Sequence, residues 1–160
     1  MLGVRLICVG KLGERFWKDA VREYEKRLAA YCKLEIVELP EQRLPDRPSP
    51  AQIQAALQKE AAAIGAKIPA GAAVIALCVE GKELSSEQLA STLDSWTLAG
   101  TSRLALLIGG SFGLDEGLKR AARLRLSMSR MTFPHHLARV MALEQLYRAF
   151  NLSSGGKYHK

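Results

Sequence analysis

Arg103-Leu-Ala-Leu-Leu-Ile-Gly-Gly-Ser-Phe-Gly113 is the stretch on which the fold turns. The unbroken apolar run from Leu104 to Ile108 reads as a strand buried on both faces, which is the mark of a parallel sheet covered by helices. Gly109, Gly110 and Gly113 then stop the strand and send the chain into a loop. Further on, Ser127-Met-Ser-Arg-Met-Thr-Phe-Pro-His-His136 repeats the plan: an extended pattern, a proline that breaks it, and a helix start. Two strand ends that each run through an unusual loop into a helix build a ligand crevice at the carboxyl edge of an α/β sheet.

Working outward from these two loops, strand-like and helical patterns alternate along the whole chain. Residues 4–9 predict a central strand. Residues 14–31 predict a helix, with Trp17, Val21, Tyr24, Leu28 and Tyr31 at helical spacing. Residues 34–39 alternate apolar and acidic side chains, as a partly exposed or edge strand does. Residues 40–50 carry four prolines and predict a loop long enough to be functional or mobile. Ser49 caps the helix that Pro50 begins and that runs to about residue 66. Residues 73–79 form the next buried strand, ended by Glu80-Gly81-Lys82. Ser85 or Ser86 caps a helix to residue 98, with Leu89, Leu93 and Trp96 inside. The remaining strands are 104–108 and 126–131, with a short helix at 115–124 between them and a long one at 136–152 after them. The reading is a single α/β domain over residues 1–160, with a mostly parallel sheet and helices on both faces.

Charge is distributed unevenly over this frame. Residues 111–160 hold nine Lys/Arg against three Asp/Glu, whereas residues 1–110 hold fourteen against thirteen. The surplus behind the net charge of +7 therefore coincides with the two loops, which points to a polyanionic substrate. No apolar run reaches the roughly 20 residues of a membrane span, and the N-terminus reads as a strand rather than a signal peptide. Cys8, Cys32 and Cys78 form no CxxC pair and leave an odd one over, and Cys8 and Cys78, inside apolar strand patterns, read as buried thiols. That implies a reducing, cytoplasmic setting with no disulfide and no metal.

The turn from Gly109 to Gly113 matches neither the dinucleotide fingerprint nor the P-loop, since no Gly-Lys-Ser/Thr follows it. Two readings stand: a tight turn into the next helix, or a place where a ligand approaches the backbone. Pro134 biases Phe133 towards extended backbone, which leaves the groups of Met128 to Phe133 free for a ligand. His135 and His136 are either structural or part of that site. On the last helix Leu137, Val140, Met141, Leu143, Leu146, Tyr147 and Phe150 spread over more than one face. Sheet on one side and a second copy of the chain on the other would cover them. Glu144 and Arg148 form an i,i+4 pair. The tail, Gly155-Gly-Lys-Tyr-His-Lys160, is either a frayed end or an arm reaching a nucleic acid or a partner's site.

Leu107-Ile-Gly-Gly-Ser-Phe-Gly-Leu114, the run from Ser127 to His136, Leu143-Glu-Gln-Leu-Tyr-Arg-Ala149 and Tyr158-His159 together resemble the SPOUT superfamily of methyltransferases. The likeness is to its minimal members, which methylate N3 of a pseudouridine in bacterial large-subunit ribosomal RNA, and it extends over essentially the whole chain. The resemblance implies a C-terminal trefoil knot in the α/β sheet, S-adenosylmethionine as cofactor, a homodimer, and ribosomal RNA on the assembled ribosome as substrate. It implies cofactor contacts at Leu77, Gly109 and the loop Met128, Ser129, Arg130, Met131, Thr132 and Phe133. His135, Tyr158 and His159 are then candidates for handling a proton or stacking on a base, and Arg139 and Arg148 for stabilising an anion. Two rivals remain on the sequence alone: a non-catalytic RNA- or ribosome-binding module, and a nucleotide-dependent enzyme with phosphate at the glycine turn.

Overall fold

Along β1 (Leu2–Val9) successive side chains point to opposite faces, and this sorts the core into two layers. Val4, Leu6 and Cys8 join one buried cluster, Ile7 and Val9 the other. In the computed structural model, which describes residues 1–160, β1 is followed by α1 (Arg15–Leu28), β2 (Cys32–Leu39), α2 (Pro50–Gly65), β3 (Ala73–Glu83), α3 (Ser86–Leu98), β4 (Arg103–Ile108), α4 (Glu116–Ala121), β5 (Leu124–Ser127) and α5 (His135–Ser153). The strands form one sheet in the order β2-β1-β4-β3-β5, and every pairing is parallel. β2 is an edge, as its alternating pattern predicts.

The larger cluster lies under α1, α3 and α5, through Val21, Leu28, Leu89, Leu93, Leu143 and Leu146. The smaller one lies under α2 and α4, through Ile64 and Leu118. Ser49 and Ser85 each close a capping box, with Gln52 and Gln88, so both helices start where the sequence places them. α1 and α3 both pack on α5. Part of the wide apolar surface of α5 is therefore covered within the chain by two helices as well as by the sheet. No helix is long and apolar enough to cross a membrane.

Besides shifts of two or three residues at the ends of β1, α1, β2 and α4, two boundaries depart from the sequence reading in ways that bear on the site. β3 does not stop at Gly81. Its ladder with β5 breaks after Leu77↔Leu126 and resumes at Lys82↔Leu126. A Cβ on Gly81 would stand 2.8 Å from the Arg125 backbone, so this glycine permits a close crossing inside the strand rather than ending it. The last strand runs over Leu124–Ser127 instead of residues 126–131. Here Ser127 Oγ donates to the Ser129 carbonyl at 2.8 Å, and Ser129 Oγ accepts from the Met131 N–H at 3.0 Å. These local bonds draw the backbone out of the ladder.

Candidate active site

β3 pairs with β4 only from Ala73 to Ala76 and then parts from it. With the break in the β3–β5 ladder, this opens the carboxyl edge of the sheet beneath the two loops. A cavity of about 700 Å³ fills the gap, bounded by Leu77–Glu80, the glycine turn, Lys119 and the loop into α5. That volume suits a ligand of cofactor size. Of the cofactor contacts that the resemblance implies, Leu77, Gly109, Met128, Ser129, Met131, Thr132 and Phe133 all line the cavity, whereas Arg130 does not. Cys78, Val79, Glu80 and Lys119 border it too; the sequence reading assigns none of them to a site and takes Cys78 for a buried thiol, whereas it is half-buried on the cavity wall. The only trace of them is Gly81, which marks the irregular stretch of β3.

The glycine turn is folded tightly on itself. A Cβ on Gly109 would lie 2.2 Å from the Gly113 carbonyl oxygen, so no side chain is possible there without opening the turn. Three of the chain's exposed large apolar residues rim the cavity: Val79, Phe112 and Met131, at 44%, 49% and 73% exposure. Apolar surface left open around a cavity marks a binding site. Burial, then Glu80, pushes the Cys78 thiol up, so it stays protonated and is no nucleophile at neutral pH. Backbone groups, apolar walls and an apolar rim match a neutral nucleoside with an aliphatic arm better than a diphosphate.

The basic surplus is less free than its count suggests. Lys119 Nζ pairs with Glu80 at 2.5 Å and Glu116 at 3.1 Å. Burial alone would lower its pKa, but the two carboxylates hold it above the ordinary lysine value. Arg125 also reaches Glu116, Arg148 pairs with Glu144, and Arg123 lies 4.4 Å from the Trp96 ring. Arg130 is exposed at the loop tip and has no carboxylate partner.

His135 is on the cavity wall. His136 Nε2 is 3.2 Å from the Lys11 carbonyl and 3.0 Å from His135 Nε2. A carbonyl only accepts, so His136 Nε2 carries the hydrogen and His135 Nε2 accepts. Burial, and next His136, hold His135 below the ordinary histidine value, so its ring is neutral at pH 7. Arg139 is 1% exposed. Nη1 donates to Glu38 at 2.5 Å, Nη2 donates to the Gly10 carbonyl at 3.0 Å, and buried Nε has no partner. Its guanidinium is thus enclosed and occupied, and it does not line the cavity.

Arg148, Tyr158 and His159 form a second group. Tyr158 Oη donates to Glu144 Oε1 at 2.9 Å, the same oxygen that Arg148 Nη2 reaches at 2.6 Å. Burial and Glu144 raise the Tyr158 phenol above its ordinary value. Arg148 Nη1 is 3.1 Å from His159 Nδ1, and His159 Nε2 is 2.7 Å from Glu87. A guanidinium only donates, so Nδ1 accepts and Nε2–H points to Glu87. The tail is therefore fastened to α5 and α3. None of the three residues lines the cavity. Glu144 and Arg148 stand about 14 and 20 Å along α5 from His135 at 1.5 Å per residue.

Comparison with known proteins agrees with this geometry. The family model "Predicted SPOUT methyltransferase" matches residues 2–159. A protein of Streptococcus equi subsp. zooepidemicus named ribosomal RNA large subunit methyltransferase H is 45% identical over 157 residues, covering 98% of this chain and 99% of its own. The protein of that name from Bifidobacterium adolescentis is 47% identical over the same shares. A solved structure of a probable methylase family protein from Haemophilus influenzae shares the fold, with a TM-score of 0.54 at 14% identity over 100% of this chain and 72% of that one. A match of this extent, on a chain whose strand ends converge on a cofactor-sized cavity, settles the family: this chain is a SPOUT methyltransferase.

Proposed function

We propose that the chain methylates N3 of a pseudouridine in large-subunit ribosomal RNA, using S-adenosylmethionine and acting on the assembled ribosome in the cytoplasm. One observation carries the reading: in a chain of this family, Leu77, Gly109 and the loop from Met128 to Phe133 surround a single cavity with open apolar edges. When bound, S-adenosylmethionine supplies a methyl group already activated on a sulfonium. Leu77, Gly109 and the loop residues Met128, Ser129, Met131, Thr132 and Phe133 would hold it, with Phe112, Val79 and Met131 closing over it.

What remains for the protein is positioning and one proton. Holding two reactants in line contributes on the order of 7–11 kcal/mol when geometry is near ideal. The acceptor nitrogen bears a hydrogen that must leave. His135 is neutral at pH 7 and stands on the cavity wall, where its imidazole can take up that proton by turning away from His136. Arg148 on α5 and Tyr158 and His159 on the tail would meet the RNA base. Because they lie outside the cavity of their own chain, the reading includes a homodimer in which the partner's tail completes each site. It also includes a single domain over residues 1–160 whose C-terminal part is threaded as a trefoil knot. Arg139, enclosed against Glu38 and Gly10, contributes by fixing the start of α5. A bare RNA-docking module has no use for the cavity, and the glycine turn lacks the P-loop lysine that a nucleotide triphosphate needs.

The test has two arms. Calorimetry should show S-adenosylmethionine binding to the purified protein. Mass spectrometry of ribosomal RNA from cells lacking the protein should show one pseudouridine without its methyl group. Unaltered RNA would overturn the substrate, and absent cofactor heat the cavity's assignment.

A further inference from the structure

The loop at residues 40–50, which leaves the end of β2, meets the glycine turn from outside the cavity. Glu41 Oε1 accepts the backbone N–H of Ser111 at 2.7 Å. A Cβ on Gly110 would stand 2.7 Å from the same oxygen, so the carboxylate lies directly against the backbone of the turn. The loop itself is held at this point. The Gly10 N–H donates to the Leu39 carbonyl at 2.7 Å, and the Gln42 N–H donates to Glu60 Oε2 at 2.9 Å. Glu60 belongs to α2 and is 7% exposed. Burial raises its pKa and the bond from Gln42 opposes that. Phe112 then lines both the main cavity and a crevice walled by Leu44, Ile53 and Leu57.

The turn thus has the cavity on one side and a fixed carboxylate on the other. Gly109, Gly110 and Gly113 give it more backbone freedom than residues bearing a Cβ would, and that freedom must be lost when a ligand binds. We propose that Glu41 is a positioning residue for the cofactor turn: its carboxylate grips Ser111 N–H and presets the turn before the methyl donor arrives. The loop at 40–50 is a brace, not a lid. This rests on the assignment of the cavity to S-adenosylmethionine. Glutamine at 41 keeps an oxygen that can accept from Ser111, and alanine does not, so the pair isolates the bond.

The experiment uses the full chain as wild type, Glu41→Gln and Glu41→Ala. It measures S-adenosylmethionine affinity by calorimetry, amide hydrogen exchange at Ser111 in the ligand-free protein, and the thermal midpoint. Glu41→Ala should weaken binding about tenfold, as loss of a bond to a charged acceptor does, and should speed Ser111 exchange by a similar factor. Glu41→Gln should stay within about threefold of wild type on both, since the acceptor survives. Alanine with wild-type affinity and exchange overturns the proposal. So does equal loss in both variants, or a loss that appears only with a lowered midpoint and that glutamine does not rescue. If wild type itself fails to bind S-adenosylmethionine, the cavity assignment falls, and the exchange rates still decide whether Glu41 holds the turn.

Discussion

Gly109 is where sequence, geometry and function meet most closely at the scale of a residue. Its missing Cβ leaves room for the Gly113 carbonyl, which a methyl group would approach to 2.2 Å. Gly109→Ala must push the turn open into the cavity. Overpacking of this kind costs about 1–3 kcal/mol, and the opened turn no longer presents the surface proposed to hold the cofactor. S-adenosylmethionine affinity by calorimetry should drop by roughly tenfold to a hundredfold. Affinity within twofold of wild type would show that the turn is not a cofactor contact. His135 makes a prediction of a different sort. Its folded pKa lies below the ordinary 6.5, so the unfolded chain binds protons more readily in the window between the two values. Stability is therefore complete above pH 6.5 and is lost as pH falls through the folded value. Thermal midpoints measured from pH 5 to 7.5 should rise with pH, and the slope should flatten in His135→Asn. An equal slope in both proteins would place the effect elsewhere.

Among the elements, α5 decides whether the cavity exists, because its first turn forms one wall. Arg139 straps that turn to the ends of β1 and β2 through Gly10 and Glu38. Removing one member of a buried pair typically costs 3–5 kcal/mol. The Glu38 side chain keeps 35% exposure, so Arg139→Met should cost about 2–3 kcal/mol, read as a lower urea midpoint with unchanged slope. Lysine should not restore it, since one ammonium cannot reach both acceptors in the guanidinium's forked geometry. This strap also marks the limit of what the sequence discloses. The buried run before Gly109, the alternation in β2 and the serine caps of α2 and α3 are local patterns, and each names its element correctly. Arg139 reads as one more basic residue on a helix, because its partners are more than a hundred positions away in the chain. Glu41 and Ser111, 70 positions apart, and Lys119 and Glu80, 39 apart, are likewise joined only by the fold. Gly81 looks like a strand terminator until the Arg125 backbone is seen crossing it. Locally patterned elements are legible; contacts made by topology are not.

For the whole molecule, the proposed function requires the tail and the cavity of different copies to act together. Within one chain, Arg148, Tyr158 and His159 are held by Glu144 and Glu87, outside the cavity wall. A twofold dimer can place the tail of each copy over the cavity of the other, since in such an interface each contact occurs twice. That arrangement predicts complementation between two defective chains. Gly109→Ala spoils a cavity and leaves its tail intact; Tyr158→Ala combined with His159→Ala spoils a tail and leaves its cavity intact. With S-adenosylmethionine held well below saturation for the Gly109→Ala cavity, each homodimer should be nearly inactive. When the two chains are co-expressed in equal amounts and pair at random, half of the dimers are mixed. Each mixed dimer has one site made of an intact cavity and an intact tail. Methyl transfer should therefore return to about a quarter of the wild-type rate per chain. If tail and cavity served each other within one chain, every site in every dimer would carry a defect and mixing would restore nothing. Purification through two different affinity tags isolates the mixed dimer, whose activity should approach about half of wild type. An inactive mixed dimer that still binds S-adenosylmethionine would exclude the shared site while leaving the cavity's assignment standing.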